Sequence, residues 1–259
     1  MVNIQTLRRQ IVEAGKRAYQ RGYAASNDGN ISARIDENRI IVTPAGVSKG
    51  FMKPADMVIV DMDGQVKSVS GKPSSEVFMH LQVYKDRPDI NSVCHAHPPY
   101  ATGFAAAGIP LDQCILPEVI LTLGQIPLVK YGTPGTDELY KPMINLLPDH
   151  DAFLLANHGA LTIGTDVINA YHKMETVEHF AHIAFVAHQL GNIAALNSEQ
   201  VKKLTDMRPK YGIRTTAGCV TQTPQEQDKQ SENTLTADER ASLVKEITDR
   251  IIAELKQKY

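Results

Sequence analysis

The sequence of 259 residues has few cysteines, no long apolar run and almost no net charge. Cys94, Cys114 and Cys219 are odd in number and widely spaced, which argues against a disulfide framework or a cysteine-based zinc site and favours a reducing compartment. No stretch reaches the roughly 18 apolar residues of a membrane span, and residues 1–20 lack the layout of a signal peptide. With 27 basic and 29 acidic residues, the net charge of −2 provides no basic surface for nucleic acid or anionic lipid. We therefore expect a soluble, cytoplasmic protein that binds neither nucleic acid nor membrane.

Hydrophobic periodicity indicates an α/β fold. Apolar residues at helical spacing predict an amphipathic helix over residues 3–21 and a long helix over about 166–190. Short apolar runs separated by turn residues predict antiparallel strands at 31–35 and 39–43, and a second hairpin around Asp63-Gly64. Further strands are expected at 91–97, 114–121, 127–131 and 152–157, and further helices from about 74, 99, 136 and 198. These elements predict one α/β domain with a mostly antiparallel sheet and helices on its faces.

The C-terminal region differs in composition from the rest of the chain. Residues 221–234 are almost wholly polar and predict a linker, because they cannot bury enough surface to become ordered. Thr236 and Glu239 form a capping box at the start of an amphipathic helix over residues 235–259. We therefore expect a catalytic domain over residues 1–220, followed by a linker and a helix.

Three histidines lie at the ends of apolar segments. His95 and His97 end the strand NSVCHAH, where the two-residue period places both imidazoles on one face and Cys94 on the other. His158 follows the second apolar strand, and Gly159 permits a sharp turn directly after it. Three neutral imidazoles are a common ligand set for catalytic zinc, whereas HAH alone is compatible with a polar strand end. The matching position of His158 favours a metal site.

Other polar groups invite a functional interpretation. Ser74, Ser75 and Glu76 precede a predicted helix and could bind an anion, although on local evidence a simple helix cap is the better reading. The loops at 26–30 and 43–46 carry further polar side chains and unhindered amides. A helical cluster allows a second metal site or, more plausibly, a solvated or intersubunit face; its members are His172, Glu175, Glu178, His179 and His182.

Taken together and in order, these segments resemble the class II aldolase/adducin family, and within it the zinc-dependent L-fuculose-phosphate aldolases. The resemblance covers about residues 1–215 through SNDGNISAR, VTPAG, KPSSE, HAH, ANHG and YGIR. It implies a three-layer α/β/α fold, a homotetramer with sites at subunit interfaces, and one divalent metal per subunit, Zn²⁺ or else Mn²⁺ or Co²⁺. The implied substrate is a ketose 1-phosphate, cleaved to dihydroxyacetone phosphate and an aldehyde.

The resemblance also implies roles for single residues. His95, His97 and His158 match the metal ligands, and Glu76 matches an acid/base that can also touch the metal. Tyr211 matches a tyrosine that acts as a proton donor. The residues that match the phosphate loops are Gly29, Asn30, Gly46, Ser74 and Ser75.

Two positions depart from the fuculose-phosphate pattern. Ala45 replaces a threonine whose hydroxyl would contact phosphate, and Glu118 falls near a second tyrosine of the aldehyde side. The family leaves open a sugar-phosphate 4-epimerase, against which Glu76 and Tyr211 argue, and a 3-oxo-tetronate 4-phosphate decarboxylase. A non-catalytic adducin-like scaffold is a further alternative, although all three histidines are present. Similar aldolases carry linker-and-helix tails that bind microcompartment shells, so we expect residues 235–259 either to bind a shell protein or to pack on the tetramer.

Overall fold

A single sheet forms the centre of the computed structural model, which describes residues 3–69, 71–191, 193–213 and 216–221 together with 242, 244–246 and 248. Its seven strands are β1 (Asn30–Arg34), β2 (Arg39–Val42), β3 (Val58–Asp61), β4 (Ser92–Ala96), β5 (Leu128–Val129), β6 (Ala152–Leu155) and β7 (Gly159–Gly164). They lie in the order β3-β2-β1-β4-β7-β6-β5. Neighbouring strands are antiparallel except for the short parallel pair of β5 and β6. The expected mostly antiparallel α/β fold is therefore confirmed.

Helices cover both faces of the sheet. They are α1 (Ile4–Gln20), α2 (Val77–Asp86), α3 (Pro99–Ala106), α4 (Pro117–Thr122), α5 (Val167–Gln189) and α6 (Ser198–Thr205), with 3₁₀ turns at Pro54–Asp56, Asp137–Leu139, Lys141–Leu146 and Arg208–Tyr211. Side chains of α1, α3 and α5, such as Ile11, Phe104 and Met174, share one apolar cluster with Cys94 of β4. Side chains of α2 and of the 3₁₀ turns, such as Leu81 and Met143, share the other cluster with Val93. The fold consequently has three layers, with α2 on the face opposite α1 and α5.

The register of β1 and β4 decides which polar residues face α2. Asn30 pairs with His95 and Ser32 pairs with Val93, while Ile31 pairs with Cys94. Paired residues of an antiparallel ladder point to the same face, and successive residues alternate. Because Val93 packs in the cluster of α2, the side chains of Asn30, Ser32 and His95 lie on the α2 face.

Some elements differ from the sequence-based expectation. The strand expected at 114–121 is wrong, since α4 begins at Pro117, whose fixed φ suits the first turn of a helix. The helix expected from residue 136 consists of two 3₁₀ turns. Strand β7 was not anticipated, although it is buried along its length and pairs with both β4 and β6. Its small residues, which include Gly159, Ala160 and Gly164, give a weak strand pattern.

The expectation of no disulfide is also wrong. Cys114 and Cys219 are joined by a disulfide, with their Cα atoms 5.3 Å apart, although 105 residues separate them in sequence. Val220 brings the chain alongside residue 112, because its amide donates to the Asp112 carbonyl at 2.7 Å. Spacing in the sequence does not reveal this long-range pairing. The third cysteine, Cys94, is buried and free, and burial raises the pKa of its thiol to about 12.

Met1–Val220 forms one compact unit of the chain, and Thr221–Tyr259 is separate from it. The predicted linker and most of the predicted C-terminal helix lie outside the described residues. Positions 242, 244–246 and 248 are described and are helical. In the part of the chain that the structure describes, no helix is long and apolar enough to cross a membrane.

Candidate active site

The three predicted histidines meet at the edge of the sheet. His95 lies near the end of β4, His97 follows that strand, and His158 lies in the turn between β6 and β7. One ring nitrogen from each lies within 4.8 Å of the others, and no second such group occurs among the described residues. The Nε2 atoms of His95 and His97 are 3.1 Å apart. This is the separation expected of side chains that share one cation.

Two glycines allow the segments around the histidines to approach so closely. A Cβ at Gly159 would lie 2.6 Å from the Ala96 carbonyl oxygen and from Cδ2 of His97. Gly29 has a φ of +74°, and a Cβ there would lie 2.8 Å from the His95 carbonyl oxygen. A larger residue at either position would push a loop away from the His95 strand.

The protonation of the rings suits metal binding. Nδ1 of His95 donates to the Ala160 carbonyl at 2.9 Å, which leaves the Nε2 lone pair free. Burial lowers the pKa of His95 to about 3, against the opposing charge of Glu76, and burial also lowers the pKa of His97. Nδ1 of His97 faces the Asp28 carboxylate at 3.6 Å, and its Nε2 points at Nε2 of His95. With both rings protonated on Nδ1, the two facing Nε2 lone pairs, 3.1 Å apart, would be available to one cation.

Glu76 completes the cluster from the start of α2. Its Oε1 lies 3.1 Å from Nε2 of His158, and its Oε2 lies 3.4 Å from Nε2 of His95. Asn30 Nδ2 donates to Oε2 at 2.7 Å. Burial favours a raised pKa for Glu76, but His95, His158 and the Asn30 hydrogen bond together lower it, so the carboxylate is ionised.

A cavity of about 260 Å³ opens beside Glu76. Its walls include all five residues that match the phosphate loops, and they also include Ala45, His97 and His158. Ser74 Oγ accepts from the Glu76 amide at 3.3 Å, and the Ser74 and Ser75 side chains make no cap bond to α2. Ser74 therefore bonds the turn that leads into α2, which agrees in part with the helix cap, and Ser75 lines the cavity without capping α2.

Lys49 is a cavity residue that the sequence analysis missed. It is 3% exposed, and its Nζ donates to the carbonyls of Asn27 at 2.9 Å and Val47 at 2.8 Å. Burial lowers its pKa to about 8, although Asp28 and Glu76 oppose this shift. It supplies the only Lys or Arg side chain on the described wall of this cavity. A basic residue three positions after the TPAG turn was the available signal.

Two predicted residues lie elsewhere within the chain. Tyr211 is 62% exposed on the 3₁₀ turn that follows α6. It borders another cavity of about 480 Å³, whose lining includes Arg87, Asp151 and Lys173. Glu118 lies exposed in the first turn of α4 and does not line the cavity beside Glu76. One protomer therefore does not bring Tyr211 or Glu118 to the histidines.

The polar residues of α5 have structural contacts. Both carboxylate oxygens of Glu178 accept backbone amides at the start of α3, from Tyr100 at 3.0 Å and from Ala101 at 2.9 Å. The ring of His182 stacks on Tyr100 with centroids 3.9 Å apart. Glu175 pairs with Arg21 at 2.6 Å. These contacts tie α5 to its neighbours and do not assemble a second metal site within the described residues.

Comparison with known proteins agrees with this geometry. Residues 9–185 match the family described as the Class II Aldolase and Adducin N-terminal domain. An L-fuculose phosphate aldolase of Methanococcus maripaludis strain S2 is 36% identical over 172 residues, which cover 66% of this chain and 92% of that protein. A 3-oxo-tetronate 4-phosphate decarboxylase of Haemophilus influenzae is 31% identical over 205 residues, which cover 77% of this chain and 92% of that protein.

A solved structure shares the fold at a similar level of identity. The protein YgbL from Klebsiella pneumoniae, described as an aldolase, epimerase or decarboxylase, superposes with a TM-score of 0.73 and 31% identity. The match covers 79% of this chain and 100% of that one. The family match thus lies within the unit Met1–Val220, and the relatives include both aldolases and decarboxylases.

Proposed function

The chain belongs to the class II aldolase and adducin family, as an enzyme of the lyase type, and we propose that it cleaves a ketose 1-phosphate such as L-fuculose 1-phosphate. The products are dihydroxyacetone phosphate and an aldehyde, and the reaction is reversible. The observation that carries the proposal is the convergence of three histidine ring nitrogens beside an ionised Glu76 at the wall of the cavity. A scaffold without catalysis has no need of this arrangement.

The ligand set fits a divalent cation. His95, His97 and His158 provide nitrogen donors, and Glu76 adds a carboxylate beside them. We propose Zn²⁺, one ion per subunit, with Mn²⁺ or Co²⁺ as substitutes. Such an ion supplies Lewis acidity that stabilises negative charge on the oxygens of the substrate. The three histidines would hold the ion, and two of them, His97 and His158, line the cavity in which the substrate would bind.

The residues of the cavity divide the remaining work. Gly29, Asn30, Gly46, Ser74 and Ser75 bind the phosphate through amides and hydroxyls. Lys49 adds a positive charge near the position where Ala45 lacks the expected hydroxyl. These contacts fix the substrate so that its reacting carbon lies beside the carboxylate of Glu76.

Glu76 handles the proton in this scheme. Breaking the C3–C4 bond leaves its electron pair on the phosphate-bearing fragment, as the enediolate of dihydroxyacetone phosphate. In the direction of synthesis the ionised Glu76 removes a proton from the carbon of dihydroxyacetone phosphate, and in cleavage Glu76, after taking up a proton from water in the cavity, returns one to the carbon of the enediolate. Tyr211 moves the proton on the C4 oxygen, which becomes the aldehyde oxygen.

The place of Tyr211 supports an assembled site. It is exposed and borders a separate cavity within its own chain. We propose a homotetramer in which Tyr211 of one subunit reaches the histidine cluster of the next. Light scattering tests the oligomeric state. Mixing Tyr211→Phe subunits with Glu76→Gln subunits tests the shared site, because some mixed sites would combine an intact Tyr211 with an intact Glu76 and regain activity.

A decarboxylase is the second candidate. The Haemophilus influenzae decarboxylase aligns over more of this chain than the Methanococcus aldolase does, and Ala45 departs from the fuculose-phosphate pattern. Loss of CO₂ from a 3-oxo-tetronate 4-phosphate leaves the same enediolate, so Glu76 and the phosphate loops would act in the same way. The two reactions differ only in the departing fragment, which is an aldehyde in one and CO₂ in the other.

One experiment separates these candidates. The purified metal-loaded protein is incubated with a panel of ketose 1-phosphates and with 3-oxo-tetronate 4-phosphates, and dihydroxyacetone phosphate is measured by a coupled reduction. We expect this product together with an aldehyde and without CO₂. Release of CO₂ with no cleavage of any ketose 1-phosphate would assign the protein as a decarboxylase.

The C-terminal region has a separate proposed role. We propose that residues 221–234 are a linker and that the helix over 235–259 binds a shell protein of a bacterial microcompartment inside the cytoplasm. An apolar stripe needs a partner, and the catalytic residues all precede the linker. Enclosure in such a compartment would retain an aldehyde product that is volatile or reactive.

A further inference from the structure

A row of polar side chains on α2 faces a row on β1. Glu76 precedes α2, and His80 and Tyr84 follow it at intervals of four residues, which places all three on one side of the helix. Asn30 and Ser32 lie two residues apart on the facing side of β1. The residues on α2 recur every four positions and those on β1 every two, so both rows face each other in a buried layer.

Hydrogen bonds connect these residues into one chain. Asn30 Nδ2 donates to Oε2 of Glu76 at 2.7 Å, and Asn30 Oδ1 lies 2.5 Å from Nε2 of His80. Nδ1 of His80 lies 2.7 Å from Ser32 Oγ, which in turn lies 2.7 Å from the Tyr84 hydroxyl. His80 and Ser32 are 0% exposed. The partner of Asn30 Oδ1 is therefore a buried side chain of the protein and not bulk water.

The donors in this chain can be assigned from one end to the other. Asn30 Oδ1 only accepts, so His80 must carry its proton on Nε2. The Nδ1 atom of a neutral His80 then accepts from the Ser32 hydroxyl, and Ser32 accepts from Tyr84. Burial lowers the pKa of His80 to about 4, which agrees with a neutral ring. The sequence of bonds runs in one direction, from Tyr84 to the carboxylate of Glu76.

This direction matters because the amide of Asn30 has two possible orientations. With Nδ2 toward Glu76 it donates to the carboxylate, whereas the flipped amide would place an oxygen against a negative charge. Nε2 of His80 is a donor, and it faces an acceptor, the Asn30 Oδ1 atom, only in the first orientation. His80 therefore selects the state of Asn30 that holds Glu76.

We propose that His80 is a positioning residue for the proton transfer: its Nε2–H fixes the Asn30 amide, which holds the Glu76 carboxylate beside the histidine cluster. This inference rests on the proposed role of Glu76. His80 does not itself line the cavity, and its described hydrogen bonds connect it to Glu76 only through Asn30, a residue of the cavity wall. Its loss should affect turnover more than substrate binding, because the phosphate loops stay in place.

A matched pair of variants tests the donor. His80→Gln keeps an N–H near the position of Nε2, and His80→Met has similar length without a donor. We expect the Gln variant to retain kcat within about threefold of wild type, and the Met variant to lose about 10- to 100-fold in kcat, as for a misplaced catalytic group, with KM and metal content unchanged. Tyr84→Phe, at the far end of the chain, should change kcat less than twofold, because Ser32 can still donate to His80.

Two results would overturn the proposal. One is an equal kcat in His80→Gln and His80→Met, with only a lower melting temperature in His80→Met. That result would mean that His80 contributes to stability and not to the position of Glu76. The other is a spectroscopic result that needs no active variant. In ¹⁵N spectra of histidine-labelled protein, with the His80 signals assigned by their loss in His80→Gln, we expect the Nε2–H tautomer. The Nδ1–H tautomer would contradict the series of hydrogen bonds. Absence of lyase activity in the wild type would instead count against the proposed function, and it leaves the tautomer measurement to judge the hydrogen-bonded chain.

Discussion

The cavity beside Glu76 and the cavity beside Tyr211 are assembled in different ways. The first is built from strand ends, two glycine turns and the start of α2, and its ionisable residues are mostly buried and bonded to one another. The second is bordered by the 3₁₀ turn at Arg208–Tyr211, on which Tyr211 is largely exposed. One protomer therefore brings together the residues that we propose for phosphate, metal and enediolate, but it does not bring to them Tyr211, which we propose for the departing fragment.

This difference explains why relatives with two activities match the chain. An aldolase and a decarboxylase both produce the enediolate of a phosphorylated ketone, so both need the first cavity. What distinguishes the two reactions is the fragment that departs, and we propose that Tyr211 of a neighbouring subunit acts beside that fragment. The predictions below separate the two regions.

Removal of a metal ligand should have the largest effect. His158→Ala deletes one of the three converging nitrogens, so we expect the zinc content to fall from about one per chain to near zero and cleavage to fall by more than about 10³-fold. Metal analysis and a coupled assay measure the two. His179→Ala, an exposed histidine of α5, is the control and should keep both. Full activity in a metal-free His158→Ala protein would reject the ligand assignment.

Glu76 and Tyr211 should separate in a half-reaction. Glu76→Gln keeps the shape of the carboxylate without its basicity, and we expect both cleavage and solvent-deuterium exchange into dihydroxyacetone phosphate to slow by about 10² to 10⁴. Tyr211→Phe should slow cleavage while leaving exchange unchanged, because exchange involves no aldehyde oxygen. Proton NMR in D₂O measures exchange. If exchange slows as much in Tyr211→Phe as in Glu76→Gln, then Tyr211 takes part in the proton transfer to and from carbon.

The first region was also the easier one to predict from sequence. His95 and His97 alternate on a strand, and a period of two fixes their common face before any tertiary structure is known. His158 could be added because it ends a second apolar run. Lys49 escaped notice because its burial depends on how the loop after Gly46 folds back onto Asn27, which local patterns do not encode.

Long-range pairing accounts for the other errors. Cys114 and Cys219 meet only because the segment around Val220 returns to Asp112. Strand β7 is made of small residues whose strand conformation depends on two buried neighbours, β4 and β6. The row of Glu76, His80 and Tyr84 was visible as a spacing of four, but its meaning required the register of β1 against β4.

Lys49 should have a moderate effect, confined to binding. Lys49→Met removes the positive charge of the cavity, so we expect KM for a phosphorylated substrate to rise about tenfold, roughly the worth of one charge-assisted bond, with kcat unchanged. Burial lowers the pKa of Lys49 to about 8, so above this pH the free enzyme loses the charge and wild-type KM should rise. The Met variant should lack this rise. Lys53→Met, at an exposed lysine nearby, serves as control, and an unchanged KM in Lys49→Met would exclude a role in phosphate binding.

Deletion of residues 222–259 should have the smallest effect on catalysis. A cut after Thr221 keeps the Cys114–Cys219 disulfide and the bond from the Val220 amide to Asp112, and every residue proposed for the chemistry precedes it. We therefore expect turnover and oligomeric state within about twofold of the full chain, measured by the coupled assay and light scattering. Fused to a fluorescent protein, residues 222–259 should gather at co-expressed shell proteins, and a fusion with Leu243, Ile247 and Ile251 changed to Ser should stay dispersed, because the apolar stripe is the proposed contact. If the truncated enzyme dissociates or loses activity, the helix belongs to the oligomer, and the shell-binding role is rejected.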